Sequence, residues 1–459
     1  MTMHGFLRHP GSYRDPRGHI YVAGSDIFRT VSNDVWPEFQ TIRPVLARFV
    51  DEGRLVAFEE VDDAPDDRGH TLRHPHLPFI SYPYEWPFEA LKSAALFHLD
   101  LQIDALKHDV TLSDASAYNV QFIGAQPIFI DHLSFRPYTE GEYWTGHRQF
   151  CEQFLNPLLL RSCRGVAHNE WYRGSLEGIP TSALNRLLSL RHKSTWNVLT
   201  HVVLQDRLQS RTQKDATTAD RVRSKKLAKR SYLAILGQMR AWIARLSPAD
   251  RDTTTWASYA ENNTYDDEEK AQKRQFVRNA VARYSVGTVI DLGCNTGDYS
   301  RSALDGGAKR AIGFDYDQQA LDRAFLNAAK NGTPFTPLFL DAANPVPDQG
   351  WRQLERSGFA SRAQADFVLA LAFEHHLAIA RNIPLSEVVD WLVSIAPFGV
   401  IEFVHKDDPT IQKMLELRED IFGEYSEDTF RAELLRRAEI VETQTVSRSG
   451  RTLYLFQRH

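Results

Sequence analysis

From about residue 255 onward, short apolar runs alternate with stretches whose apolar positions recur every three to four residues. That alternation predicts a mainly parallel sheet wound between helices. The runs at 288–292, 310–315, 335–340, 366–372 and 399–405 are the strands, and the first four lead into helical stretches. The chain then ends differently, in EIVETQTV, the turn SRSG and RTLYLFQRH, which read as two antiparallel strands closing one edge.

The first half is patterned otherwise. GSYRDPRGHIYVAGSDIFRTV reads as a hairpin, and EWPFEALKSAALFHLDLQIDALKH, at 85–108, has the three-and-four spacing of a long amphipathic helix. WTGHRQFCEQFLNPLLL and the leucine-rich stretch at 181–208 read as helical packing. Residues 207–230 hold nine Lys/Arg, two Asp and few aliphatics, which suits an exposed connector. SYLAILGQMRAWIARLSP follows as an amphipathic helix leading toward the second half. The expected division is 1–206, a connector and helix over 207–250, and 251–459.

Composition narrows the function classes. The 459 residues carry 54 Lys+Arg against 59 Asp+Glu, and 42% are hydrophobic, the balance of a soluble globular chain long enough for more than one domain. Residues 251–459 hold 24 Lys+Arg against 31 Asp+Glu, so neither half has the strongly basic face of a nucleic-acid binder. Cys151, Cys163 and Cys294 stand far apart, without zinc-ligand or disulfide-framework spacing. The N-terminus has no signal-peptide core and no run is apolar enough to span a bilayer, so a cytoplasmic protein without membrane partners is expected.

The strongest chemical signal is Val289-Ile290-Asp291-Leu292-Gly293-Cys294-Asn295-Thr296-Gly297-Asp298, a buried strand running into a glycine turn and then a helix. A dinucleotide site needs G-x-G-x-x-G so that a pyrophosphate meets the helix N-terminus; here the spacing is G-x-x-x-G, and Asp291 would repel phosphate. S-adenosylmethionine carries an ammonium and a sulfonium, so an acid at the strand end attracts it. Asp315 follows the next strand, where a carboxylate accepts from two ribose hydroxyls, and Asp341 follows the third, in reach of an adenine amino group.

These residues and the closing hairpin resemble the class I S-adenosylmethionine-dependent methyltransferases, a Rossmann-like α/β fold, over about residues 255–459. Gly350-Trp351-Arg352 with Glu355-Arg356, then ALAFEHHL and IEFVHKDDP, is similar to a bacterial subgroup of these enzymes, some carrying a nodulation-protein label. The resemblance implies a cofactor site on Asp291, Gly293, Asn295, Gly297, Asp315 and Asp341. Asn295 stands where many relatives have a second glycine, which fits a backbone in an ordinary region. No metal is expected in this half. Glu374, His375 and His376 follow the fourth strand and are candidate proton acceptors, with Glu402, His405 and Lys406 weaker ones; the same residues also suit a helix cap or a buried hydrogen-bond network. No Asn-Pro-Pro-Tyr-like string follows that strand, so the resemblance does not extend to enzymes methylating adenine or glutamine amino groups, and a small-molecule or peptide-borne acceptor is expected.

In TLSDASAYNVQFIGAQPIFIDHLSF, Asp114 is followed by Asn119, a strand, a glycine turn, a second strand and Asp131. That order resembles the catalytic loop and metal-binding acid of protein kinases and small-molecule kinases, α+β proteins. It implies Asp114 as base and Asn119 and Asp131 as magnesium ligands on ATP. There is no glycine-rich phosphate loop and no Val-Ala-Ile-Lys-like strand, and Leu112 and Ser113 precede Asp114. A degenerate kinase-like domain aiding acceptor recognition is therefore expected, with a bifunctional kinase and methyltransferase, or a non-catalytic binding scaffold, as alternatives. Asp114 and Asn119 also suit a simple β-turn.

Overall fold

The computed structural model describes residues 5–62, 65, 69–212, 226–250, 267–416 and 418–459. The middle of the expected basic connector and the first residues after 250 lie outside that range. The chain divides into two units, Met1–Arg251 with Gln349–Arg356, and Asp252–Asp348 with Ser357–His459.

The first unit is α+β. Its antiparallel sheet runs in the order Leu7–Arg8, Ile20–Ala23, Asp26–Ser32, Gly69–Pro75, Glu59–Val61, so the expected hairpin forms. Helix Trp36–Asp51 buries Phe39, Ile42, Leu46 and Phe49, one stripe at helical spacing. Helix α1 (Phe88–Lys107) was expected to be amphipathic but is buried on most of its circumference, because neighbours cover it on more than one side. One neighbour is α2 (Lys229–Ala244), which buries Tyr232, Leu236, Met239 and Ile243. The Tyr232 hydroxyl accepts from Gln102 Nε2 at 2.9 Å and the Arg240 guanidinium binds Asp100. The helix expected to lead toward the second half therefore packs on the first, since its apolar stripe needs a partner and α1 supplies one.

In the second unit every expected strand forms: β1 (Thr288–Leu292), β2 (Arg310–Asp315), β3 (Phe335–Phe339), β4 (Phe367–Ala370), β5 (Phe398–Phe403), β6 (Ala438–Thr445) and β7 (Thr452–Arg458). Their order is β3-β2-β1-β4-β5-β7-β6, with β1 to β5 parallel and β7 antiparallel to both β5 and β6. The parallel strands are almost wholly buried, as strands covered by helices on both faces must be. Edge strand β6 alternates half-buried and exposed positions instead, with only Ala438 fully buried. The fourth run is shorter than expected because Ala372 turns to φ +49°. The helices include α3 (Asp267–Ala282), α4 (Asp298–Asp305) and α5 (Gln318–Asn331). Chain order reverses between β1 and β4, which opens a crevice at the carboxyl ends of the strands. Among the described residues, no helix is long and apolar enough to cross a membrane.

Candidate functional site

At that crevice lies a cavity of about 430 Å³ within the second unit. Gly293, Asn295, Asp315 and Asp341 line it, with His375 and His376. The turn after β1 is held by unusual backbone: Gly293 at φ +75°, Asn295 at +49° and Gly297 at +83° are all left-handed. A Cβ on Gly297 would lie 2.4 Å from the Phe335 ring, so that position admits no side chain. Asn295 departs from the ordinary backbone expected of a non-glycine. Asparagine tolerates the left-handed region, and its Oδ1 accepts from Thr296 N at 2.8 Å.

The acids occupy different depths. Asp315 Oδ2 accepts from Asn295 N and its Oδ1 from Asp317 N, both at 2.8 Å, which aims the carboxylate along the cavity wall. Burial raises its pKa. Asp341 sits at the end of the run after β3, accepts from Ala343 N at 3.1 Å and lies 3.7 Å from the Arg381 guanidinium. Asp291 lies beneath the turn rather than on the wall: it is buried, its Oδ2 accepts from Ser300 Oγ at 2.5 Å, and burial pushes its pKa up to about 7.

Past β4, Glu374 does not reach the cavity, so it cannot meet a substrate directly. It is fully buried, with Oε1 accepting from Val404 N at 3.0 Å and Tyr425 Oη at 2.7 Å, and Oε2 3.4 Å from His375 Nδ1. Its place is in the network that ties the end of β4 to the end of β5. The His375 and His376 rings lie 4.3 Å apart, tilted by 36°, and burial pushes the His376 pKa down to about 3, so that imidazole is neutral. Of the weaker candidates, Glu402 pairs with Lys273 in the interior at 2.6 Å, His405 with Glu427 and Lys406 with Asp420. Sequence reading missed Lys273, Tyr299, Thr410 and Arg451 on the wall. Only Lys273 has a sequence signal, its helical spacing with Lys270 and Arg274 on one face of α3.

The first unit brings its own three residues together. Asn119 Nδ2 lies 3.4 Å from Asp114 Oδ2 and donates to Ser134 Oγ at 3.2 Å, and Ser134 Oγ donates to Asp131. Arg29 NH1 donates to Asp131 Oδ1 at 2.6 Å. Asp114 also accepts from Ser116 N at 2.8 Å, and burial and the neighbouring Asp131 raise its pKa.

A seven-stranded sheet of this order, with a glycine turn and successive strand-end acids around one cavity, defines an S-adenosylmethionine-dependent methyltransferase. The family model for ribosomal protein L11 methyltransferase (PrmA) matches residues 276–353. Ribosomal protein L11 methyltransferase of Haemophilus ducreyi is 56% identical over 45 residues, 10% of this chain and 15% of that protein. Nodulation protein NoeA of Rhizobium meliloti (strain 1021) is 48% identical over 454 residues, 98% of this chain and 95% of that protein. The chain belongs to the NoeA family. Among solved structures, N-methyltransferase NodS from Bradyrhizobium japonicum WM9 is similar over 42% of this chain and 98% of that one, at 14% identity and a TM-score of 0.31.

Proposed function

We propose that the cavity holds S-adenosylmethionine against the left-handed turn, with Asp315 accepting from the ribose hydroxyls, Asp341 meeting the adenine amino group, and Asp291 supplying negative potential from below. The observation that carries this reading is that the glycine turn, Asp315 and Asp341 line one cavity. The residues fit the cofactor: Gly293 brings bare backbone to the wall, Gly297 lets the turn close over the Phe335 ring behind it, and acids rather than helix-bound phosphate donors face the space. When bound, S-adenosylmethionine supplies an electrophilic methyl group on a sulfonium.

The chain's own part is to place an acceptor in line and exclude water. His376, kept neutral by burial, offers a lone pair but is a weak base; His375, steadied by Glu374, is the better placed to take a proton from the acceptor. The acceptor is a small molecule or a peptide-borne group. Isothermal titration with S-adenosylmethionine tests the cofactor site: the wild type binds, and Asp315→Ala weakens binding by at least about tenfold, the loss of a charge-assisted hydrogen-bond pair. A wild type that does not bind overturns it.

We infer that the first unit is kinase-like and serves acceptor recognition rather than ATP-dependent phosphoryl transfer. The convergence of Asp114, Asn119 and Asp131 supports the likeness. Arg29 on Asp131 supports the binding role, because that carboxylate already has a cation. Magnesium-dependent ATP turnover that disappears in Asp131→Ala would reinstate the bifunctional reading.

A further inference from the structure

The cavity is divided by charge, and the division follows the sheet. Three of its acids, Asp315, Asp317 and Asp341, stand at or just past the ends of β2 and β3, on one side of the reversal point, and the fourth, Asp298 at the start of α4, is paired with Arg301. Its cations gather on the other side. Lys270, Lys273 and Arg274 share one face of α3, and Arg451 stands just before β7 with Thr410 beside it. Arg381 alone stands among the acids, opposite Asp341.

The inner two cations form a built floor. Lys273 is 1% exposed and Arg451 3%. Buried acids fix each of them: Glu402 accepts from Lys273 Nζ at 2.6 Å, and Asp408 accepts from Arg451 Nε and NH2 at 2.7 and 2.8 Å. Arg451 NH2 also donates to Thr410 Oγ1 at 3.0 Å. Burying two ion pairs costs desolvation that a hydrophobic wall would avoid, so the arrangement needs a purpose beyond stability. The outer two, Lys270 and Arg274, form no ion pair among the described residues, which leaves two positive charges uncompensated on this wall.

We propose that this wall binds an anionic group, a carboxylate or a phosphate, carried by the methyl acceptor, with Lys273 and Arg451 as its floor and Lys270 and Arg274 as its rim. The inference rests on the methyltransferase reading of the same cavity. The anion is a handle and not the methylated atom. Methyl transfer from a sulfonium to an anion discharges both, so cations holding the reacting atom would stabilise the starting state more than the transition state. The acceptor atom therefore lies elsewhere on the same molecule, toward the histidines.

The test uses the full chain, titrated at constant ionic strength with inorganic phosphate and, separately, with acetate, once with S-adenosylhomocysteine bound and once without. At least one anion should bind, and whichever binds more tightly identifies phosphate or carboxylate as the handle. In the variant Lys270→Ala/Arg274→Ala, whose changes lie on the outer rim, the dissociation constant for that anion should rise at least about fivefold. Its affinity for S-adenosylhomocysteine should change less than about twofold; a larger loss would assign these cations to the cofactor's own carboxylate and overturn the proposal. Failure of both anions to bind the wild type, or equal binding by the variant, overturns the proposal. Failure of S-adenosylhomocysteine to bind counts against the cofactor reading instead, and the titration without it still decides the anion site.

Discussion

Asp291 shows what a single residue type at a strand end leaves open. Its position in the motif is plain in the sequence, but its depth is not, because burial depends on what the following turn does. Held under that turn, its carboxyl has a pKa raised from 3.8 to about 7. Between those values the unfolded chain has released the proton while the native chain retains it, so stability falls as pH rises through that window and stays lowered above it. Asp291→Asn should therefore be more stable than the wild type at pH 8, by about 2–4 kcal/mol, with the difference vanishing below about pH 4. Urea unfolding at the two ends of that range measures it. The same ionisation is what a cationic cofactor favours, so affinity for S-adenosylmethionine should rise with pH through about 7 in the wild type and lose that dependence in Asp291→Asn. A flat wild-type profile would remove Asp291 from the site. Asn295 carries a second residue-scale test: at φ +49°, Asn295→Gly should be tolerated and Asn295→Val should cost about 1–2 kcal/mol in the same measurement.

At the scale of elements, what was legible in the sequence is what has a period or a fixed offset. The strands of the second unit are apolar runs with turn signals between them, and β1, its turn and α4 form one contiguous motif, so both were readable. Pairings made across the fold were not. Glu402 was noticed after its strand, yet its partner Lys273 lies 129 residues earlier on α3, and no spacing rule joins them. Glu374 looked catalytic because its strand end faces the crevice; its side chain turns inward instead because Val404 N and the Tyr425 hydroxyl both need an acceptor. The α3–β5 pair makes a clear prediction. Lys273→Met should destabilise by about 3–5 kcal/mol, since it strands a buried carboxylate, and adding Glu402→Leu should recover most of that loss. A double-mutant cycle by chemical denaturation decides it. No recovery in the double variant would mean that α3 needs the charge pair for its position and not only for neutrality.

For the whole molecule, the two units have separate cores, and the proposed cofactor site draws every residue from the second. A ligand that binds a folded unit stabilises that unit by mass action and leaves an energetically separate one where it was. Scanning calorimetry should therefore resolve two transitions. S-adenosylhomocysteine at about a hundred times its dissociation constant should stabilise one of them by about 2.7 kcal/mol. The assignment can be made independently, because Asp315→Ala should abolish that shift, whereas a core substitution in the first unit, such as Leu99→Ala, should lower the other transition by about 2–5 kcal/mol.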